Sequence, residues 1–261
     1  MKRKYNRKPD RKDERDFKYS DHLQIVNPES LPQSENLIAK CPPVFDQGDI
    51  GSCTGNALAG MLGWDELQQM RLKTASSPEV FDPSQYEPFS RLMIYYNERR
   101  IEGTTDQDAG AELRDGIKAL VQWGACRESV WPYSDSNALV QPSTAAYTEA
   151  ASHKISKYLR ISTLTEMRHC LASGSPFVFG FTVYDYFESE EMAKTGILKM
   201  PKPNDQPIGG HAVMCVGYDP EYFWVRNSWG ADWGPFGGYF KMPKAYITDP
   251  NLAEDAWAIL R

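Results

Sequence analysis

The stretch Val44-Phe45-Asp46-Gln47-Gly48-Asp49-Ile50-Gly51-Ser52-Cys53 decides how the rest of the chain is read. Two glycines and a serine suited to cap a helix end this loop. Beyond it Ala57, Leu58, Met61, Leu62 and Trp64 recur at spacings of three and four, which predicts a helix starting at Cys53 with one buried face. Gly55, Gly60 and Gly63 lower its intrinsic propensity, so packing has to hold it.

Working outward, Phe89, Leu92, Met93 and Tyr96 predict a second helix, and Leu113, Ile117, Leu120 and Val121 a third that stops at Gly124. Thr163 and Glu166 form a capping-box pattern opening a short helix through Met167, Cys170 and Leu171 to Gly174. The period then changes from about 3.6 to 2. Phe177–Tyr184, His211–Tyr218, Phe223–Asn227 and Gly238–Met242 read as strands of an antiparallel sheet or barrel. Helices first and strands second predict an α+β chain of two lobes, about 41–150 and about 151–261, with a cleft between them as the natural binding site. Residues 1–40, polar and punctuated by Pro9, Pro28 and Pro32, read as an N-terminal arm.

The 261 residues suffice for one large core or two smaller ones. Hydrophobic residues at 41% and charged residues at 25% describe a globular chain, and no window supplies the roughly 20 apolar residues of a bilayer span. Residues 1–20 hold nine Lys or Arg against four Asp or Glu, so with −6 overall the remaining body is strongly acidic. An acidic body argues against nucleic acid as a partner. Nothing points to a membrane partner, and the basic N-terminus lacks the apolar core of a signal peptide. The five cysteines form no CxxC pair or zinc-like cluster, so the expectation is a reducing compartment such as the cytoplasm and no metal.

A nucleophilic cysteine has to reach its thiolate near neutral pH. The N-terminus of a helix and a neighbouring imidazolium both favour that anion. Cys53 has the helix end, and Gln47 lies six residues earlier with a side-chain amide that reaches a substrate oxygen at the same place. From the loop alone, a small apolar residue packed at a helix start is an equal reading. Of the four histidines, His22, His153 and His169 lack suitable partners. His211 opens a strand just after Gly209-Gly210, and Asn227 lies sixteen residues on, near the end of the next strand. An amide carbonyl there fixes one ring nitrogen and orients the other. Ordinary strand-edge polar residues are the competing reading.

With these blocks in order, the sequence resembles the papain family of cysteine peptidases over roughly residues 41–261. Gln47-Gly48-Asp49-Ile50-Gly51-Ser52-Cys53 resembles its oxyanion-glutamine and nucleophile block, Gly210-His211-Ala212-Val213 its histidine block, and Arg226-Asn227-Ser228-Trp229-Gly230 its asparagine block. The resemblance implies a helical left lobe carrying Cys53, a β-barrel right lobe carrying His211 and Asn227, and an acyl-enzyme mechanism. Gln47 and the Cys53 N–H would bind the oxyanion, Trp229 would shield the His–Asn contact, and no cofactor is implied. Two positions depart from the family: Ile50 stands where secreted members place a disulfide cysteine, and Thr54 where Trp is usual. Gly110 is the nearest candidate for the glycines lining the cleft wall, beside Gly210. Pro9-Asp10, Asp13, Arg15-Asp16-Phe17, Arg114-Asp115 and Trp131-Pro132-Tyr133 resemble a bacterial and viral branch without the long secreted-type propeptide. In that branch, residues 1–40 would pass over the cleft as an intramolecular inhibitor.

The implied partner is a peptide or protein substrate. Glu254 and Asp255 fall near the floor of the family's main specificity pocket, where an acid favours a basic side chain. Two solvated surface acids are the simpler reading. The alternatives to an endopeptidase are an acyl transferase or transpeptidase on the same scaffold and a catalytically silent peptide-binding module.

Overall fold

A computed structural model describes residues 3–22, 28–75 and 85–260. Helix α1 (Cys53–Ala75) runs through the middle of the molecule. Its first eleven residues are all buried, because it packs against helices on one side and the sheet on the other. Gly55 is what admits the next helix: a Cβ there would lie 2.6 Å from the Arg91 carbonyl oxygen. That neighbour, α2 (Arg91–Glu102), starts on Ser90, whose hydroxyl accepts the Met93 N–H at 3.1 Å. Phe89 therefore lies just outside the helix it was expected to join. Helix α3 (Leu113–Gln122) buries Leu113, Ile117 and Leu120. Val121, assigned to the same face by spacing, is 38% exposed. Helix α4 (Thr144–Ala150) completes the helical lobe.

The other lobe is an antiparallel sheet. Its strands are β2 (Lys157–Ile161), β3 (Phe177–Tyr184), β4 (Pro207–Tyr218), β5 (Tyr222–Arg226), β6 (Tyr239–Pro243) and β7 (Ala253–Leu260), in the order β2-β7-β3-β4-β5-β6. A two-residue strand β1 (Glu35–Asn36) adds to β4. Helices α5 (Leu164–Ala172), α6 (Glu190–Thr195) and α7 (Lys244–Ile247) fill the connections. Helix α5 begins with the expected capping box between Thr163 and Glu166. Phe177, Phe179, Phe181, Phe223 and Phe240 are wholly buried and make much of the core of this lobe.

The first forty residues divide in two. Beyond residue 17 the described residues, 18–22 and 28–40, belong to the body: Tyr19 and Leu37 are buried, and the Leu37 N–H donates to the Val216 carbonyl at 2.8 Å. Residues 3–16, the arm proper, lie along the junction of the two lobes, with few apolar contacts and many ionic ones. Residues 1–2 and 23–27 of the expected arm are outside the described residues.

Candidate active site

The loop that ends in Cys53 is held from both lobes. The Gln47 N–H donates to Ser228 O at 2.9 Å and the Gly230 N–H to Phe45 O at 2.8 Å, so the glutamine and asparagine blocks pair with each other. The Gln47 side chain is buried, donating one amide proton to Ile50 O at 3.0 Å and accepting the Ser228 hydroxyl at 2.6 Å. Its second amide proton remains for an oxygen in the cleft. The same loop rests on polar groups that sequence spacing had no means of finding. Arg91 donates to Asp46 O at 2.9 Å and to Glu128 at 2.6 Å, and its guanidinium lies 3.7 Å over the Tyr133 ring. The Tyr133 hydroxyl donates to Gln47 O at 2.8 Å. Asp108 accepts the Gly51 N–H at 3.0 Å and the Tyr95 hydroxyl at 2.6 Å. Of these supporting side chains, only Tyr133 was named in the sequence reading; Arg91 and Tyr95 fall within the predicted second helix but carried no assigned role.

The two departures from the family pattern are both accommodated by packing. Ile50 is buried in a small cluster with Leu92 and Tyr95, and all five cysteines are free. Thr54 donates its hydroxyl to the fully buried Glu98. Burial raises the Glu98 carboxyl to about 8, keeping it largely protonated at neutrality under the start of α1.

His211 lies on β4 opposite Phe181 of β3. Its Nε2 is 2.9 Å from Asn227 Oδ1, which also accepts the Ser228 N–H at 2.9 Å. Because that oxygen can only accept, Nε2 carries a proton and Nδ1 is the free nitrogen. Nδ1 is buried and has no hydrogen-bond partner among the described residues. The Trp229 indole covers this contact with its ring centroid 5.8 Å from the imidazole. Cys53 is fully buried, and its thiol interacts with the backbone N–H of Ala212, the residue after His211. The fold thus brings Cys53, His211, Asn227 and Gln47 to one place.

Burial works against the charged form of both catalytic groups. It pushes the Cys53 thiol up to about 11, with Glu98 adding to the rise, against the Ala212 and Thr54 N–H groups and the positive charge of Arg7, which favour the thiolate. Burial, reinforced by the nearby positive charge of Arg3, pulls His211 down to about 4 although Asn227 supports its charged form. Burial thus disfavours the thiolate–imidazolium pair at neutral pH. The body rings of Phe181 and Phe187 pack on the imidazole, and one further element lies over the site.

That cover is the arm. The Gly210 N–H donates to Tyr5 O at 3.0 Å, the Arg7 N–H to Gly210 O at 3.2 Å, and the Lys8 N–H to Ala111 O at 3.0 Å. The Tyr5 ring stands edge-on to His211 at 6.0 Å and tilted to Trp229 at 6.2 Å. Arg3 lies 5.2 Å over Trp229 and donates to Asp46 at 3.0 Å. The Gly110 backbone, at φ 68°, lies so close to the arm that a Cβ would fall 1.9 Å from Asn6 O. Glu254 accepts from Arg7 at 3.0 Å. Gly110, Gly210, Trp229 and Glu254 therefore all line one cleft, and residues 3–8 fill it. Among the described residues no group of three or more His, Cys, Asp or Glu is arranged to hold a metal ion.

Comparison with known proteins agrees with this geometry. Residues 28–259 match the family model described as papain family cysteine protease. An uncharacterized peptidase C1-like protein of Acanthamoeba polyphaga mimivirus is 43% identical over 241 residues, 88% of this chain and 71% of that one. A cathepsin B-like protein of Giardia intestinalis is 25% identical over 248 residues, covering 88% of this chain and 73% of its own. The crystal structure of xylellain, a cysteine protease from Xylella fastidiosa, superposes with a TM-score of 0.82 at 39% identity, covering 98% of this chain and 95% of that one.

Proposed function

Because this chain belongs to the papain family of cysteine proteases and is a cysteine endopeptidase, we propose a specific division of labour among the residues of its cleft. Cys53 passes its thiol proton to His211 Nδ1 and, as thiolate, attacks the peptide carbonyl carbon. His211 Nδ1 protonates the departing amine as the C–N bond breaks, and water then hydrolyses the thioester with His211 as base. Asn227 positions the ring. The remaining Gln47 amide proton and the Cys53 N–H stabilise the oxyanion, which is worth about 3 kcal/mol in such sites. The observation that carries this reading is the Nε2 to Asn227 contact of 2.9 Å, which leaves Nδ1 buried with no hydrogen-bond partner among the described residues.

The second element of the proposal is that residues 3–10 act as an intramolecular inhibitor. They occupy the backbone groups of Gly210 and Ala111 that an extended peptide would use. They also bury the thiol and imidazole and set the Arg3 charge near the ring; the Arg7 charge acts the other way on the thiol, so burial is what disfavours the reactive ion pair while they are bound. The test is hydrolysis of fluorogenic peptides by the full chain, by Cys53→Ala and by a chain lacking residues 1–9. Cys53→Ala should be inactive, and the shortened chain should exceed the full chain on the order of a hundredfold, as release of a well-seated segment implies. Equal rates for full and shortened chains would remove the inhibitory role.

A further inference from the structure

Thr54, the residue at which this chain departs from the usual Trp, touches two groups at once. Its backbone N–H interacts with the Cys53 thiol, and its hydroxyl donates to Glu98 of α2. One residue in the first turn of α1 therefore joins the nucleophile to a buried carboxyl.

Glu98 is enclosed. It is fully buried, and a Cβ on Gly116 of α3 would stand 2.3 Å from its Oε1, so the carboxyl fits between the helices because position 116 has no side chain. Oε1 has no hydrogen-bond partner among the described residues. The charges around Glu98 do not pair with it. Arg99 favours its charged form, but that guanidinium is committed to the Tyr95, Gln107 and Ala138 carbonyls and stacks 4.0 Å over the Tyr95 ring. Glu102, one turn on, accepts from Lys8 and from the Glu112 N–H, and Asp115 of α3 accepts from Lys118 at 3.3 Å. Both of these acids oppose a negative charge on Glu98. An ionised Glu98 would hold one oxygen with no donor in a closed space, which is why the proton stays. Burial accordingly lifts the carboxyl from its ordinary 4.5 to about 8.

We propose that Glu98 is a positioning residue for the nucleophile and that it has to carry a proton for Cys53 to ionise readily. Through the Thr54 hydroxyl it fixes the turn whose N–H faces the thiol. While neutral, it leaves the positive end of α1 free to favour the thiolate. Once it loses its proton, a negative charge lies under the same helix end and opposes the thiolate, with Arg7 of the arm acting in the other sense. Glu98 touches neither substrate nor the reacting atoms. The inference rests on Cys53 as the nucleophile and adds a second titrating group behind it.

The experiment follows alkylation of Cys53 by a small electrophile in the full chain and in the full chain carrying Glu98→Gln. The glutamine keeps the shape and still accepts from Thr54, but it holds no charge at any pH. Labelling is read at the Cys53 peptide by mass spectrometry, with the fully buried Cys170 and Cys215 reporting any unfolded fraction. Below about pH 7 the two chains should react alike, because Glu98 is neutral there. The ratio should open through about pH 8, with Glu98→Gln reacting about three- to tenfold faster between about pH 9 and 10. A purely structural role would change the rate by one factor at every pH. Unfolding by denaturant supplies a second readout. The folded value of Glu98 lies above its unfolded one, so the unfolded chain loses this proton first and stability declines as pH rises from about 4.5 to about 8. The unfolding midpoint of Glu98→Gln should therefore gain on that of the unsubstituted chain across this window and keep a constant lead above it. A rate ratio flat in pH, or a midpoint difference flat in pH, would overturn the role given to Glu98. Cys53 as nucleophile is tested separately, by hydrolysis lost in Cys53→Ala, so the two failures are distinguishable.

Discussion

The two parts of the N-terminal forty residues are held by different forces. Residues 3–16 have a few backbone bonds and one packed ring, Tyr5, but most of their contacts are ionic: Arg3 to Asp46, Lys4 to Asp108, Lys8 to Glu102, Arg7 to Asp255 and Glu254, and Asp16 to Arg114 and Arg160. The described residues Tyr19–His22 and 28–40 are attached by burial and backbone pairing, with Leu37 fully buried and Glu35–Asn36 paired to β4. Apolar burial stabilises cumulatively and resists salt, whereas ion pairs that are partly exposed gain little net energy and weaken as salt rises. The comparison shows two modes of attachment that change near residue 17; on the proposed inhibitory reading the first is a releasable plug and the second a permanent strap.

The largest expected effect tests the strap. Leu37→Ala should cost about 2–5 kcal/mol in denaturant unfolding through the cavity it leaves, with no gain in peptidase activity of the folded fraction. A gain in activity would mean that strap and plug move as one unit and would erase the distinction. A smaller effect tests the plug. Raising salt from low to high concentration should speed peptide hydrolysis by the full chain by roughly two- to fivefold, because Arg3, Lys4 and Lys8 each bind through a pair with at least one substantially exposed member or a solvent-facing edge. A chain lacking residues 1–9 should show no such acceleration. Equal salt responses in the two chains would show that ion pairs do not hold the arm.

The same contrast explains what was legible in the sequence. Local rules located the start of α1 at Cys53, the capping box at Thr163 and Glu166, and β3 at Phe177–Tyr184, because those features depend on neighbours in sequence. The catalytic set was legible because Gln47, Cys53, His211 and Asn227 sit at conspicuous chain punctuation: a glycine loop, a helix start, the Gly209-Gly210 pair and a strand end, although His211 is internal to β4, which starts four residues earlier at Pro207, rather than opening it as expected. β2 escaped because Lys157 and Arg160 interrupt its apolar pattern, and β7 because its bulge at Asp255 breaks the alternation. Glu254 and Asp255 were placed at a pocket floor by resemblance, but the buried position of Asp255 could not be seen. The course of the arm left no local trace, since its decisive contact, Arg7 with Asp255, spans 248 positions. Arg91, Asp108 and Glu98 were equally hidden: each is a charged residue on or near a helical stretch whose burial only the assembled fold dictates.

The central claim, that the arm holds the thiol and imidazole neutral, predicts how Cys53 itself reacts. Alkylation of Cys53 by a small electrophile, read at its own peptide by mass spectrometry to separate it from the partly exposed Cys41, is followed against pH in the full chain and in the chain lacking residues 1–9. In the full chain the rate should be low at neutrality and climb only in the alkaline range, toward the thiol value of about 11. In the shortened chain, where solvent returns and the imidazolium can form, a fast plateau should extend below pH 7. Coincident profiles, with or without that plateau, would contradict the claim that the arm controls the charge of the site.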